Sequence, residues 1–334
     1  MKIGILGAGA IGCFLGGRLI AAGHDVVLVG RLGEEIEASG LTLTDHGGGR
    51  VRLEPLQIRY FAEPTALARM EVILVTVKSP ATQGAARPLT SILARPIPIV
   101  SFQNGVSNPA RLRSVLSGFP VLPGMVPFNV ARTGPGEFHN GTSGPLAIER
   151  SASLEEPIGA ALRSAGFDVE LEPSLSAKQW SKLLINLNNA VNALAGIPLH
   201  EQLRDRTYRR VMAMAVREGL LAMEANGQEV ARVGRMIPQL APTILSLPDP
   251  LFLLAARAMV KVDRTARSSM MDDLERGRVT EIDYLNGEIL RIADQHGVPT
   301  PVNRKLVELV KQAERARAGS PRIPSDKLLR LVTT

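Results

Sequence analysis

The sequence predicts an α/β protein, with an amino-terminal doubly wound parallel sheet followed by a carboxy-terminal all-helical domain. Three observations predict it. Through the first half, short apolar runs alternate with helical stretches, as in a parallel sheet covered by helices on both faces. Early in that pattern a glycine-rich turn joins an apolar run to a helix. Beyond Glu172-Pro173-Ser174 the apolar residues recur with helical spacing as far as Arg317.

Taken in order, Lys2 to Leu6 is a short apolar run expected to form a strand, and Val26 to Val29 is the next buried strand. Between them Gly7-Ala8-Gly9-Ala10-Ile11-Gly12 fits G-x-G-x-x-G, which marks a Rossmann-type dinucleotide site when it opens a helix after a strand. The first glycine permits the tight turn, the second lets backbone approach the pyrophosphate, and the third lets helix pack on strand. The helix N-terminus adds unpaired N–H donors and a partial positive charge. An NAD site usually places Asp or Glu near the end of the second strand. Here Gly30-Arg31 stands there, and a guanidinium suits the 2′-phosphate of NADP(H).

Val72 to Val77, Ile97 to Phe102 and Val121 to Val126 read as further strands, and Gly134 to Glu149 as an antiparallel hairpin extension. Glu155 to Ser164 reads as a helix and Phe167 to Leu171 as a last strand. The expected domains are 1–172 for the dinucleotide, 173–318 for a helical substrate domain, and 319–334 as a tail. Pro238, Pro242, Pro248 and Pro250 mark one irregular connection between long helices. The basic stretch from Arg304 to Arg330 reads as the solvated face of a last helix and the tail.

At 334 residues and 45% hydrophobic content the chain can bury the cores of two domains. Its single cysteine, Cys13, allows no internal disulfide and no cysteine-based zinc site, and the five histidines lack metal-ligand spacing, so no metal is expected. The net charge of +7 comes from dispersed Lys and Arg with only 4% aromatics, a pattern that argues against nucleic acid and favours small anions. The uncharged stretch Ile3 to Gly17 after Lys2 resembles a signal peptide only superficially, because it is glycine-rich and ends at Arg18. A cytoplasmic chain without membrane segments is expected, and the apolar surfaces of the helical domain could form a homodimer.

Chemistry is expected at two strand ends and two helical segments. Val75-Thr76-Val77-Lys78-Ser79 and Ser101-Phe102-Gln103-Asn104-Gly105-Val106 are polar where ligands bind in open α/β sheets, so Lys78 and Asn104 are placed to meet cofactor or substrate, although either could be a simple turn. In the helix Trp180 to Leu194, Lys182 and Asn186 lie one turn apart on one face. Its four asparagines, Asn186, Asn188, Asn189 and Asn192, need partners, either inside the protein or in a ligand. Ser268-Ser269-Met270-Met271 and Thr280-Glu281-Ile282-Asp283 make a second polar cluster, in which Thr280 and Asp283 have helix-cap spacing.

Together the glycine turn, Val-Thr-Val-Lys78, Gln-Asn104-Gly, Trp-Ser-Lys182-Leu-Leu-Ile-Asn186, Ser269-Met and Thr-Glu281-Ile-Asp-Tyr-Leu-Asn286-Gly resemble the ketopantoate reductase (2-dehydropantoate 2-reductase) family over most of the chain. The resemblance implies a Rossmann domain followed by a helical domain. It also implies NADPH-dependent reduction of 2-dehydropantoate to (R)-pantoate, on the route to pantothenate and coenzyme A. By the matching motifs, Lys182 would be the general acid, and Glu281 would orient it or bind the substrate hydroxyl. Asn186, Asn189 and Ser269 would bind the 2-oxo acid, and Asn104 would contact nicotinamide and substrate. Gly7, Ala8, Gly9, Ala10, Ile11, Gly12, Arg31, Lys78, Asn104 and Glu281 would serve the cofactor. The family often carries an Asn-Pro pair four residues after the Asn matching Asn186, whereas this chain has Ala190-Val191, with Asn189 or Asn192 as substitutes. Other 2-oxo acids, a 3-hydroxy acid dehydrogenase and a non-catalytic nucleotide sensor are the alternatives.

Overall fold

In the computed structural model, which describes residues 1–233, 237–255 and 266–334, the chain forms two compact units, Met1–Leu175 and Ser176–Thr334. The first contains twelve strands: β1 (Lys2–Leu6), β2 (Asp25–Val29), β3 (Leu41–Asp45), β4 (Arg50–Leu53), β5 (Arg59–Phe61), β6 (Val72–Val75), β7 (Ile99–Ser101), β8 (Val121–Met125), β9 (Val130–Gly134), β10 (Glu137–Asn140), β11 (Leu146–Glu149) and β12 (Val169–Glu172). Eight of them form a sheet in the order β12-β11-β8-β7-β6-β1-β2-β5. The six from β8 to β5 run parallel, and β11, antiparallel to β8, reverses the direction. Chain order therefore turns back between β1 and β6, the switch point at which open sheets bind ligands.

Apolar runs on both faces explain the double winding. Val72 and Leu74 face one core with Ile3, Ile5 and the first helix, while Ile73 and Val75 face a second core with Leu6 and Val27. The first helix, Ala10–Ala21, is held by Phe14 packed edge-on against Phe128 and Phe167, with ring centroids 6.0 and 6.1 Å away. Arg18 lies over the Phe167 ring and donates from Nε to the Ala165 carbonyl at 3.0 Å. These contacts fix the direction in which the N-terminus of that helix points.

Several boundaries differ from the sequence expectation. Val72–Val77 and Ile97–Phe102 shorten to β6 and β7, which leaves Thr76-Val77 and Phe102 at the start of the loops described below. The supposed hairpin at 134–149 is divided: β9 and β10 form a hairpin in a second sheet, ordered β4-β3-β10-β9, whereas β11 joins the main sheet. Strands β3, β4 and β5 were not anticipated from the sequence. Residues 319–334 are not only a tail, since Ser325–Thr333 is a helix that buries Leu328 and Val332.

The second unit is helical around Arg206–Ala225, which packs against Ala241–Ser246, Asn286–Gln295, Pro301–Ala316 and Ser325–Thr333. The helix expected from Trp180 to Leu194 is two, Ser176–Asn186 and Asn188–Ala195, interrupted at Leu187. The irregular connection contains short helices at Ala241–Ser246 and Asp249–Ala255. The part of the helical expectation that falls on 234–236 and 256–265 lies outside the described residues. No described helix is long and apolar enough to cross a membrane, and no described group of three or more His, Cys, Asp or Glu could hold a metal ion.

Candidate active site

The glycine turn follows β1 at the switch point. The Gly7 and Ala8 N–H groups both donate to the Val29 carbonyl, at 2.9 and 2.8 Å, so the turn is anchored to the end of β2. Each glycine has its own physical reason. Gly7 has φ +99°, and a Cβ there would lie 2.4 Å from the Val77 amide nitrogen. A Cβ on Gly12 would lie 2.6 Å from Thr76 Oγ1 and 2.9 Å from the Gly7 carbonyl oxygen, so any side chain would push the helix off the strand. At Gly9 the nearest atom to such a Cβ is 3.9 Å away, so protein packing does not demand glycine here. What glycine preserves at that position is open backbone in front of the helix.

Gly9 is the N-cap of Ala10–Ala21, and no side chain caps it. The first-turn N–H groups of Ala10, Ile11 and Gly12 have no intrahelical acceptor, which suits a pyrophosphate. Arg31 is exposed just beyond β2. Bare glycine backbone, an uncapped helix and a guanidinium two residues past the strand end fit a dinucleotide.

The polar loops after β6 and β7 come together as expected. Lys78 is exposed and Asn104 half-buried, and a network of buried polar side chains supports both. Asn108 Nδ2 donates to Ser79 Oγ at 3.0 Å and to the Asn104 carbonyl at 2.5 Å, and Ser79 Oγ donates to the same carbonyl at 3.1 Å. Gln103 Nε2 donates to the Val77 carbonyl and to Thr82 Oγ1 at 2.9 and 2.7 Å, while its Oε1 accepts from Ser101. Each of these groups is nearly sealed from solvent, so their mutual satisfaction fixes one loop geometry. Asn108 was not singled out from the sequence. Its position at a helix start beside Pro109 reads as an ordinary cap until the fold brings Ser79 to it.

In the second unit Lys182 is half-buried on Ser176–Asn186, and Glu281 is 7% exposed. Burial pushes the Lys182 ammonium down to about 8, and the nearby Glu281 carboxylate acts in the opposite direction. Glu281 is seated by its neighbour: the Thr280 N–H and hydroxyl both donate to Glu314, each at 2.7 Å. The Thr280 hydroxyl also accepts from the Ile282 N–H at 3.2 Å. The cap expected from Thr280 and Asp283 is therefore only half present, because the Asp283 carboxylate pairs with Lys311.

Hydrogen bonding separates the asparagines. Asn192 is completely buried; its amide donates to the Ile197 carbonyl and to Gln202 Oε1, both at 2.9 Å, and its oxygen accepts from the Ser268 N–H at 2.9 Å. Asn188 accepts from Gln202 Nε2 at 2.6 Å. These two fasten helix to helix, and the expected polar wall facing a ligand does not include them. Asn186 and Asn189 are half-buried, and no hydrogen bond to a described residue uses either carboxamide. Ser268, not Ser269, caps the helix Ser269–Glu275, accepting from the Met271 N–H at 3.1 Å. The half-buried Ser269 hydroxyl likewise makes no hydrogen bond to a described residue.

Comparison with known proteins places the chain in a family. The family model described as "Ketopantoate reductase PanE/ApbA" matches residues 3–153, and its C-terminal counterpart matches residues 174–314. A 2-dehydropantoate 2-reductase from Salmonella typhi is 31% identical over 96% of this chain and 99% of its own length. The crystal structure of a PanE/ApbA family ketopantoate reductase from Ralstonia eutropha superposes with a TM-score of 0.79 at 32% identity, covering 95% of this chain and 99% of that one. D-mandelate dehydrogenase, in a ternary structure with NADH and anilino(oxo)acetate, shares the fold with a TM-score of 0.77 at 20% identity, over 95% of this chain and 99% of its own. By sequence along nearly its whole length and by fold, the chain belongs to the ketopantoate reductase family, oxidoreductases that act on CH–OH groups with a nicotinamide dinucleotide.

Proposed function

We propose that the protein reduces a 2-oxo acid, 2-dehydropantoate before others, to the 2-hydroxy acid with NADPH, and that Lys182 is the general acid. The observation that carries this is the half-buried Lys182, held near a buried carboxylate and with its ammonium pushed down to about 8. Bound NADPH supplies the hydride. Negative charge then grows on the ketone oxygen, where the Lys182 ammonium stabilises it and delivers its proton from Nζ. Glu281 keeps Lys182 charged in a site that would otherwise favour the neutral amine. Asn186, Asn189 and Ser269 supply uncommitted polar groups for the carboxylate and hydroxyl of the substrate. The glycine turn cradles the pyrophosphate, while Arg31 and Lys78 serve the phosphate and ribose of the adenosine half and Asn104 the nicotinamide end.

The test is NADPH oxidation with 2-dehydropantoate beside other branched and aryl 2-oxo acids, and beside 3-hydroxy acids in the oxidative direction. Turnover of 2-dehydropantoate with the highest kcat/KM supports the proposal, and no oxidation with any 2-oxo acid defeats it. A second reading, another 2-oxo acid, is favoured by one observation: Ala190-Val191 stands where the family often has Asn-Pro. Two variants sharpen the assignment. Asn189→Ala is expected to raise KM for the 2-oxo acid about tenfold with little loss of stability, as when one hydrogen bond to a charged group is lost. An unchanged KM would remove Asn189 from the pocket. Arg31→Ala is expected to weaken NADPH by about 10- to 100-fold and NADH far less, because a charge-assisted phosphate contact is lost. Equal weakening of both dinucleotides would show that Arg31 does not read the phosphate.

A further inference from the structure

We propose that Tyr60 is the positioning residue for the 2′-phosphate end of the cofactor site, acting through the peptide that follows Arg31 and the glycine turn; the inference rests on the NADPH reading above. Tyr60 lies in β5, the edge strand beside β2, and is 8% exposed. Its hydroxyl is used twice. It donates to the Ala8 carbonyl in the glycine turn at 2.7 Å and accepts from the Leu32 N–H at 3.1 Å. The next residue, Phe61, accepts from the Gly30 N–H through its carbonyl at 2.9 Å. The residues before and after Arg31 are thus pinned to successive residues of one strand.

Arg31 itself is exposed, on a long side chain. The clamp fixes where that stem begins relative to the helix N-terminus that faces the pyrophosphate. A guanidinium meets a phosphate through two parallel hydrogen bonds only from a narrow range of directions, so a loose origin costs affinity for the phosphate and nothing else.

The same hydroxyl closes position 30 to other residues. A Cβ on Gly30 would lie 2.3 Å from Tyr60 Oη and 2.9 Å from the Ala8 carbonyl oxygen. That is the strand end where an NAD site carries its acidic residue. The tyrosine therefore bars the carboxylate that would repel a 2′-phosphate, while holding in place the cation that attracts it. Burial raises the phenol well above its ordinary value, so it remains a protonated donor through the working range of pH.

Tyr60→Phe keeps the ring and the Gly30–Phe61 backbone bond and removes the hydroxyl's bonds to Ala8 and Leu32. Fluorescence titration of the wild type, Tyr60→Phe, Arg31→Ala and the double variant with NADPH and with NADH separates the roles. Tyr60→Phe is expected to weaken NADPH about fivefold, the order of one lost hydrogen bond, and NADH less than about twofold. In the Arg31→Ala background the same change should leave NADPH affinity unaltered. Equal loss for both dinucleotides, or no loss for either, would overturn the role of Tyr60 while leaving the NADPH reading intact. A wild type without NADPH preference would overturn both. Should Tyr60→Phe not fold, hydrogen exchange in the wild type decides: the Leu32 amide is expected to be protected without cofactor, and rapid exchange there would refute the clamp.

Discussion

Lys182→Ala is expected to lower kcat by about 10²- to 10⁴-fold, the usual contribution of a positioned general acid, while Kd for NADPH stays within about twofold. A steady-state assay with a parallel dinucleotide titration checks both halves. Turnover close to that of the wild type would sink the assignment. The wild-type pH profile is a second reading of the same group. With the ammonium pushed down to about 8, the acid form is lost as pH rises through that value. kcat/KM should therefore be level below about pH 7 and fall tenfold per unit above about pH 9. An unshifted lysine would hold the plateau to about pH 10. Stability moves the other way. The folded value lies below the unfolded one, so the fold disfavours the charged form at every pH below about 8, and this burden lifts as pH climbs toward the ordinary lysine value of 10.5. Losing the charge in Lys182→Ala removes that burden, so a loss of activity cannot be credited to a loss of fold through the charge.

Glu218→Ala is expected to destabilise the second unit by about 3–5 kcal/mol, the range for breaking a buried charged network, with a fall in Tm on the order of 10 °C. Glu218 is 8% exposed on the central helix, and its carboxylate accepts from the Val302 N–H, the Asn303 N–H and Asn303 Nδ2, all at 2.8 Å. The first two are orphan donors at the start of the helix Pro301–Ala316. Removing the carboxylate strands three buried N–H donors. The consequence reaches the site, because the same helix carries Glu314, which holds Thr280 beside Glu281. Activity should fall together with stability and recover in Glu218→Gln, which keeps one acceptor oxygen. Thermal denaturation within about 1 kcal/mol of wild type would show that the network carries little.

The strands of the main sheet were legible where they are apolar on both faces, since β1, β2, β6 and β8 are mainly apolar runs, from the all-aliphatic β6 to β8, which Pro123 and Gly124 interrupt. Strands β3, β4 and β5 were not, because they belong to edges and to a half-exposed sheet where threonine and arginine alternate with leucine. Tyr60 was missed for that reason, as it sits in the three-residue strand β5. The break at Leu187 was invisible, since Leu187 and Asn188 keep the helical pattern and Leu187 itself keeps right-handed helical dihedrals, φ −58° and ψ −26°.

The site divides in the same way. The order of residues by itself determined the dinucleotide turn, the arginine after β2, and the lysine, glutamate and asparagines of the second half. Those identities follow from local chemistry that any fold must satisfy: glycine where backbone must be bare, and polar side chains where an apolar helix has no use for them. Only the tertiary structure decided which asparagines are spent on the protein. Asn188 and Asn192 are consumed by Gln202, Ile197 and Ser268, which lie between 5 and 76 residues away in sequence, and Asn186 and Asn189 are left with carboxamides that bond to no described residue. Burial and long-range hydrogen bonding are properties of neighbours brought together by folding. The same holds for Lys182, whose ammonium is pushed down by burial and partly held up by a carboxylate 99 positions later in the chain.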